Sequence, residues 1–463
     1  MLLLPQFKDL DCDTRSSEDF NRTWPQSQCQ LAMAMYRRSS THRSSGAVKS
    51  IDTTFDTQTT MKYMTQFLES LCESIPPSVV SAQTIGEARF VHIINEYQLQ
   101  RISYWFMAPP APVRDPMINR LQGSKTVWTL YLSTKLFQAL RQDPCSVTTR
   151  GYIGWIDKFE QELRPDSNNK LSLNDAADHL LAQLELVYLS FVAVDTNSGY
   201  NLFQKTLPEF LRLVAVDPKL TVEHPNGSLV VSFPRTLGAH QHELKRFLVY
   251  DAATAFVLGV PPLVEYGYDG ECDPTSHGFQ WVHGVPIALV ETISQVNSWR
   301  AGSRVAPLND WRNLESRVLA WNPQPVVAGD EPTGNVARLA VEEGWRHVAL
   351  IYIYMGMCGT SSHDPRVQAS IRQIVRLGES IADLPIGLHM FIHYVVAGIG
   401  ARSEKQRSFL REKLLSFKGA RVWLFRGPEL SRVLDHLWHG VGAGGAPVTW
   451  DDYVQSRCAV VPI

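Results

Sequence analysis

The segment LNDAADHLLAQLELVYLSFVAV, starting at Leu173, limits the fold more than any other stretch. Leu180, Leu181, Leu184, Leu186, Leu189 and Phe191 recur at steps that cover a broad side of an α-helix. A stripe that wide has to be packed by several neighbouring elements. Ser172 or Asn174 supplies the N-cap, because a short polar side chain accepts from the free N–H groups of the first turn.

The remaining segments follow the same grammar. Met61, Met64, Phe67, Leu68 and Leu71 predict an amphipathic helix from about residue 58. LPEFLRLVAVDP is closed by Pro218, HELKRFLVYDAATAFVLGVPP by Gly259, Pro261 and Pro262, and VARLAVEEGWRHVALIYIYMGMCG by Gly359. DPRVQASIRQIVRLGESIADLP places Pro365 in a first turn and stops before Pro385. SEKQRSFLREKLLSF carries Ser403 and Gln406 at capping-box spacing. Strand signals are few: LTVEHPNGSLVVSFP sets an Asn226-Gly227 turn between β-branched residues, which predicts one short hairpin within 220–234. The expected fold is therefore all-α, a large bundle-like domain embellished by that hairpin. No fixed-period repeat is visible, and no linker divides residues 58–463. NPQPVVAGDEPTGN (322–335) is the expected long loop.

Two regions follow: a polar, Ser/Thr-rich tail or linker over 1–55, and one helical domain over 56–463. Arg37, Arg38 and Arg43 form a short basic cluster in the tail, read either as solvated surface or as a nuclear-import or kinase site. Across 463 residues the formal net charge is -2, so there is no whole-chain basic field to grip nucleic acid. The 7 cysteines are an odd, widely spaced set, which argues for a reducing compartment over a disulfide framework. None forms a C-x-x-C pair, the start of ribbon and finger zinc sites. MLLLPQFKDLDCD lacks the charged start and long apolar run of a secretory signal. The longest apolar run, HVALIYIYMGMCG, is too short to span a bilayer, so a soluble intracellular protein with no membrane contact is expected.

Four patterns carry potential chemistry. Gly440, Gly442 and Gly445 have dinucleotide-loop spacing, G-x-G-x-x-G. Such a loop must leave a strand, open a helix and precede an acidic residue by about 20 positions. Here it follows the helical spacing of Leu430, Val433, Leu434 and Leu437, meets Pro447, and sits close to Ile463. It reads as a glycine helix stop, after which Trp450 and Tyr453 fold back onto the bundle. In YDGECDPTSHGFQWVHG, Asp269, Glu271, Cys272, Asp273, His277 and His283 have ligand chemistry without a recognised zinc or calcium spacing, and a polar turn-rich loop is the simpler reading. His389 and His393 stand at i and i+4, but Met390 occupies the place of the metalloprotease glutamate. They, like His436 and His439, read as packed helix histidines. LPEFLRLV, VLAWNP and EEGWRHVALIYIYMGM are rich in aromatics and methionine, suited to core or to the lining of an effector pocket. No nucleophile elbow, phosphate-loop lysine or kinase signature is present. These residues assign no catalytic, cofactor or metal position.

Three stretches resemble the regulatory, or fungal-specific transcription factor, domain of fungal binuclear zinc-cluster transcription factors, in its basidiomycete-type form. The first is LPEFLRLVAVDPKL followed by ELKRFLVYDAATAFVLGVPPLVEYGYDGE, with Arg246-Phe247, Asp251 and the Gly-Val-Pro-Pro break. The second is LPIGLHMFIHYVVAGIGARSEKQRSFLREKLLSF, with a close-packing point at Ala397-Gly398. The third is ELSRVLDHLWHGVGAGGAPVTWDDYV, with its Leu437-Trp438 pair. The resemblance spans roughly residues 55–463. It implies a non-enzymatic nuclear regulator acting through other transcription proteins or a small-molecule effector, compatible with a homodimer. The family's cysteine cluster has no counterpart at Cys12 and Cys29, so direct DNA binding is not expected of this sequence. A helical enzyme using the 269–283 loop and a cytoplasmic interaction protein are the competing readings.

Overall fold

The computed structural model describes residues 93–97, 101, 104–107, 124–163, 172–223, 227–270, 272, 278–303, 310–323, 332–417 and 423–463. The 1–55 tail and the helix expected around Met61 lie outside these residues, as does Asn226 of the hairpin turn.

The Leu173 segment is the central helix. We number the helices from α1 (Ser124–Gln142) and α2 (Val147–Glu162) to α3 (Leu173–Leu189), whose N-cap is Ser172. The Ser172 side chain accepts from the Asp175 N–H at 3.2 Å. A π turn, Ser190–Val194, extends α3. This combined helix is long and apolar enough to cross a bilayer, a property the sequence reading sought only at His347. Its apolar stripe is instead covered by α1, α2, α4 (Thr196–Gln204), α5 (Leu207–Val214) and α7 (His242–Leu258). Leu180, Leu184 and Leu189 are all 0% exposed, the burial expected of a core helix.

α3 also buries Glu185, which pairs with Arg246 of α7 at 2.6 Å. Burial opposes ionisation of Glu185, but the Arg246 and Arg101 guanidiniums hold its carboxyl below the usual range. Arg101 stacks on the Tyr188 ring of α3, 3.3 Å from its centroid.

The hairpin forms as expected: β1 (Thr221–Glu223) pairs antiparallel with β2 (Leu229–Ser232), with Gly227 at φ 82° in the turn. A further strand was not foreseen. The two-residue β3 (Tyr266–Gly267) joins β2 in parallel, Val231 opposite Tyr266. Two residues carry no readable alternation, so only tertiary placement reveals this strand. Short α6 (Phe233–Gly238) connects β2 to α7.

Helix α7 ends at Gly259, which adopts a left-handed φ of 63°. Beyond it the Pro-Pro loop is tied back by Asp251, which accepts from the Leu263 N–H and the Tyr266 hydroxyl, both at 2.8 Å. α8 (Gly278–His283), α9 (Ile287–Arg300) and α10 (Trp311–Ala320) follow. α11 begins at Pro332, inside the segment expected to be loop, and runs to Tyr352 with a π turn to Met357. Pro at a first turn explains the earlier start. α12 (Pro365–Ser380) packs along α11.

A 3-10 segment, Pro385–Met390, leads into α13 (Phe391–Ile399). α14 (Glu404–Ser416) opens with the expected Ser403/Gln406 capping box, and α15 (Gly427–His439) returns across α13. A Cβ on Gly398 would lie 2.5 Å from Leu434 Cδ1, so the expected close-packing point is real. Trp438 Nε1 donates to the Gly398 carbonyl at 2.8 Å, joining the second and third stretches of the resemblance.

The last helix, α16 (Trp450–Val460), docks on α7 and α11, as the fold-back reading of the tail requires. Trp450 is 1% exposed, stacks on Phe256 and lies 4.5 Å from the Tyr352 ring. Replacing Trp450 with Ala is expected to cost about 3–5 kcal/mol, as for other buried aromatics. Urea denaturation should show that loss, and a much smaller one for the half-buried Trp311→Ala.

Candidate functional site

The 3-10 break before α13 decides where two histidines go. A continuous helix would put His389 and His393 on one face. With the break, His389 lies in the 3-10 segment and meets Phe106, centroids 5.2 Å apart, while His393 points to Trp345 on α11 at 4.6 Å. His393 Nε2 lies 3.1 Å from the Val341 carbonyl. That approach needs Gly344, where a Cβ would sit 2.6 Å from the His393 ring.

Trp345 continues to Trp423 at 5.7 Å, and Trp423 stacks on His283 at 4.4 Å. Three buried imidazoles and two buried indoles thus form one cluster, drawn from α8, α11, the 385–390 turn, α13 and the segment before α15. Of the histidines expected to be packed, His389 and His393 are; His436 and His439 are exposed in the last turn of α15.

A cleft of about 430 Å³ opens beside the cluster. Tyr104, Trp105 and Phe106 line it together with Leu388, Arg338 and His389. The aromatic side is pinned in place: the Phe106 and Met107 N–H groups donate to the Val282 and Trp281 carbonyls at 3.3 and 2.9 Å. Gly284, at φ 69°, lets the Phe106 ring approach within what would be 2.7 Å of a Cβ. On the other side of the cluster, Trp345 and Trp423 border a small apolar cavity of about 30 Å³ against Phe256 and Val290. Its lining offers few polar partners for water.

Burial sets the protonation states. It pulls His389 down to about 4 and His393 down to about 3, and places His283 well below its ordinary range. All three imidazoles are therefore neutral near pH 7, placed for packing and hydrogen bonding. Asp251 moves the other way: burial raises it to about 7, against the pull of the Leu263 N–H and Tyr266 hydroxyl.

The 269–283 loop does not gather its ligand-type residues. Asp269 pairs with Arg235 at 2.7 Å and accepts from the Ser232 hydroxyl. Cys272 is half-buried, its thiol pushed up by burial and by Glu291. His283 stacks on Trp423. Glu271, Asp273 and His277 lie outside the described residues, and no group of three metal-ligating side chains occurs among the described ones.

The glycine motif likewise forms no cradle. Gly440, Gly442 and Gly445 donate their N–H groups to the His436, Leu437 and Gly442 carbonyls. Of the aromatic-rich segments, LPEFLRLV is core through Phe210, stacked on Phe247 at 3.9 Å. EEGWRHVALIYIYMGM supplies Trp345 to the cluster. Sequence reasoning missed Trp105, Phe106, Arg338 and Trp423, which carry no motif and meet only in three dimensions.

Residues 244–460 match the family model described as the fungal specific transcription factor domain. That segment is similar to the fungal-specific transcription factor domain. It runs from the third residue of α7 to the last of α16, and so contains the Asp251 clamp, the Gly398–Trp438 contact and the whole histidine–tryptophan cluster. The match is shorter than the span of the resemblance, and LPEFLRLVAVDPKL falls outside it. No curated protein and no solved structure matches the chain. The match supports a role in transcription regulation for this segment.

The opposed shifts give opposite pH signatures. His389 holds its proton less tightly folded than unfolded, where its value is 6.5, so its contribution to stability is lost as pH falls from 6.5 towards 4. Asp251 holds its proton more tightly folded, against 3.8 unfolded, so its contribution is lost as pH rises from 3.8 towards 7. Urea unfolding across pH 4–7 should therefore show His389→Gln gaining on the wild type towards acid pH, and Asp251→Asn gaining on it towards neutral pH.

Proposed function

We propose that the chain is a non-enzymatic regulator of transcription, acting in the nucleus through other transcription proteins or a small effector. The observation that carries this reading is the family match over a helical unit closed by its own first and last helices. The neutral imidazoles add to it, because buried uncharged rings beside an apolar cleft suit recognition better than proton transfer near pH 7. No C-x-x-C start of a zinc cluster occurs in this sequence, so the reading assigns no DNA contact to named residues. The competing enzyme reading loses support from the divergence of Asp269, Cys272 and His283.

The test couples the full chain to an unrelated DNA-binding domain upstream of a reporter gene, and follows a fluorescent tag on the untethered chain. A several-fold change in reporter output with nuclear signal is expected. Unchanged output together with an exclusively cytoplasmic signal under all growth conditions would overturn the reading in favour of a cytoplasmic interaction protein.

A further inference from the structure

We propose that the apolar cleft between residues 104–107, the start of α11 and the 384–388 turn is the docking site of this chain's own N-terminal amphipathic segment, which carries Met61, Met64, Phe67, Leu68 and Leu71.

The segment needs a surface. It lies outside the described residues, and its sequence pattern is what sets the requirement. The five apolar residues share one side of the expected helix, while Lys62, Gln66, Glu69 and Glu73 share the other. Pro76 and Pro77 end the pattern. A helix this short is marginal in water, so it forms only by burying its stripe against something.

The cleft offers such a surface. Tyr104, Trp105, Leu384, Pro385, Ile386 and Leu388 line it, and none of them is buried although most have core chemistry. Leu384 is among the exposed large apolar residues of the fold, at 38%. The two charged or basic members of the lining are already engaged: His389 is hydrogen-bonded to the Tyr104 and His283 backbones, and Arg338 interacts with Glu342. What remains for an occupant is chiefly aromatic and aliphatic. An apolar cavity of about 150 Å³ accommodates one benzene ring, so about 430 Å³ has room for two or three side chains such as Phe67 and Leu71. The methionines suit an aromatic wall, because a thioether adapts its shape and its sulfur attracts ring edges. The wall is preformed, pinned to α8 by two backbone hydrogen bonds, so little ordering is required on docking.

The covalent connection favours this occupant over a free partner. Ile93, Ile94 and Tyr97 pack with Val127, Leu130 and Leu181, which anchors the start of the described chain. The Arg101 and Tyr104 N–H groups donate to the Tyr97 and Arg101 carbonyls at 2.9 and 3.1 Å, leading directly to the cleft wall. Tyr104 stands about 11 residues from Ile93 and so at most about 40 Å away, whereas the roughly 22 residues from Leu71 to Ile93 reach about 75 Å when extended. The link is therefore long enough. A link of this kind also raises the effective concentration of the segment towards the millimolar range, which a free partner would have to match.

The test uses the full chain with the photo-crosslinking residue p-benzoylphenylalanine in place of Leu384 and, in a second preparation, of Ile386. After irradiation, products of monomer size are digested and their cross-linked peptides sequenced by mass spectrometry. Both positions are expected to capture residues within 58–75. Phe67→Ser combined with Leu71→Ser should lower that yield about fivefold or more, since the apolar stripe is lost. Lys62→Ala combined with Gln66→Ala, on the polar side, should change it less than about twofold. The same photoreactive residue in place of Leu229, 70% exposed and outside the cleft, should not capture the segment. The mapping uses the native segment, so it decides the matter even if the double-serine chain does not fold. Capture of a different segment, capture of 58–75 only in products of dimer size, no capture from either cleft position, or a yield unmoved in the folded double-serine chain would overturn the proposal.

Discussion

The buried C-terminal end of α7 is the constraint on which the rest of the domain depends. A helix end leaves its last carbonyls without intrahelical partners, and in a core no water can take them. Here α16 satisfies them: the Tyr453 hydroxyl donates to the Val257 carbonyl and Arg457 Nε to the Leu258 carbonyl, both at 2.6 Å. Gly259 makes the approach physically possible. Its left-handed φ turns the chain, and a Cβ there would sit 2.4 Å from Val454 Cγ2. Residues almost two hundred positions apart are thus one capping structure. The family match begins in the helix that needs the cap and ends in the helix that supplies it.

Charge inside the core serves the same closure. Arg300 of α9 donates to the Gly356 carbonyl of the π turn and pairs with Asp451 of α16 at 2.7 Å, so one guanidinium ties three elements. Arg246 does this towards α3 through Glu185. Such buried pairs rarely add much net stability, since desolvation offsets the attraction, but removing one partner strands the other. Their effect is to fix which helix faces which. Asp251 differs because no cation is among the groups that set its ionisation, only hydrogen-bond donors.

Helices were legible in the sequence because period, cap and stop agreed at each. Ser172, Gly259, Pro365 and the Ser403/Gln406 box all stand where local chemistry put them. What stayed hidden depends on distance along the chain. The β3 strand is too short to show a period. The 3-10 break before α13 is invisible to apolar spacing, yet it falls between His389, against Phe106, and His393, against Trp345. The cleft draws on residues near 105, 338 and 388, and no spacing within one segment encodes such a meeting. Aromatic richness around Trp345 was the one local signal, and it could not distinguish core from the border of a pocket.

The glycine-rich loop after α15 shows how a pattern can have the right residue types and the wrong polarity. A phosphate-binding loop opens a helix, so that free N–H groups and the positive end of the dipole face the anion. Here the loop closes a helix. The Gly440 and Gly442 N–H groups turn back to α15 and that of Gly445 to the loop's own Gly442, and the outward groups are carbonyls. A cation meets them: Arg407 of α14, 4% exposed, donates to the Ala401, Trp438 and Gly442 carbonyls at 3.1, 3.4 and 2.6 Å. His363 lies 2.9 Å from the Gly445 carbonyl. The field that draws a guanidinium to this end of α15 would repel a pyrophosphate. The same glycines that mimic a nucleotide loop turn the chain so that Thr449 can cap α16 and Trp450 can enter the core.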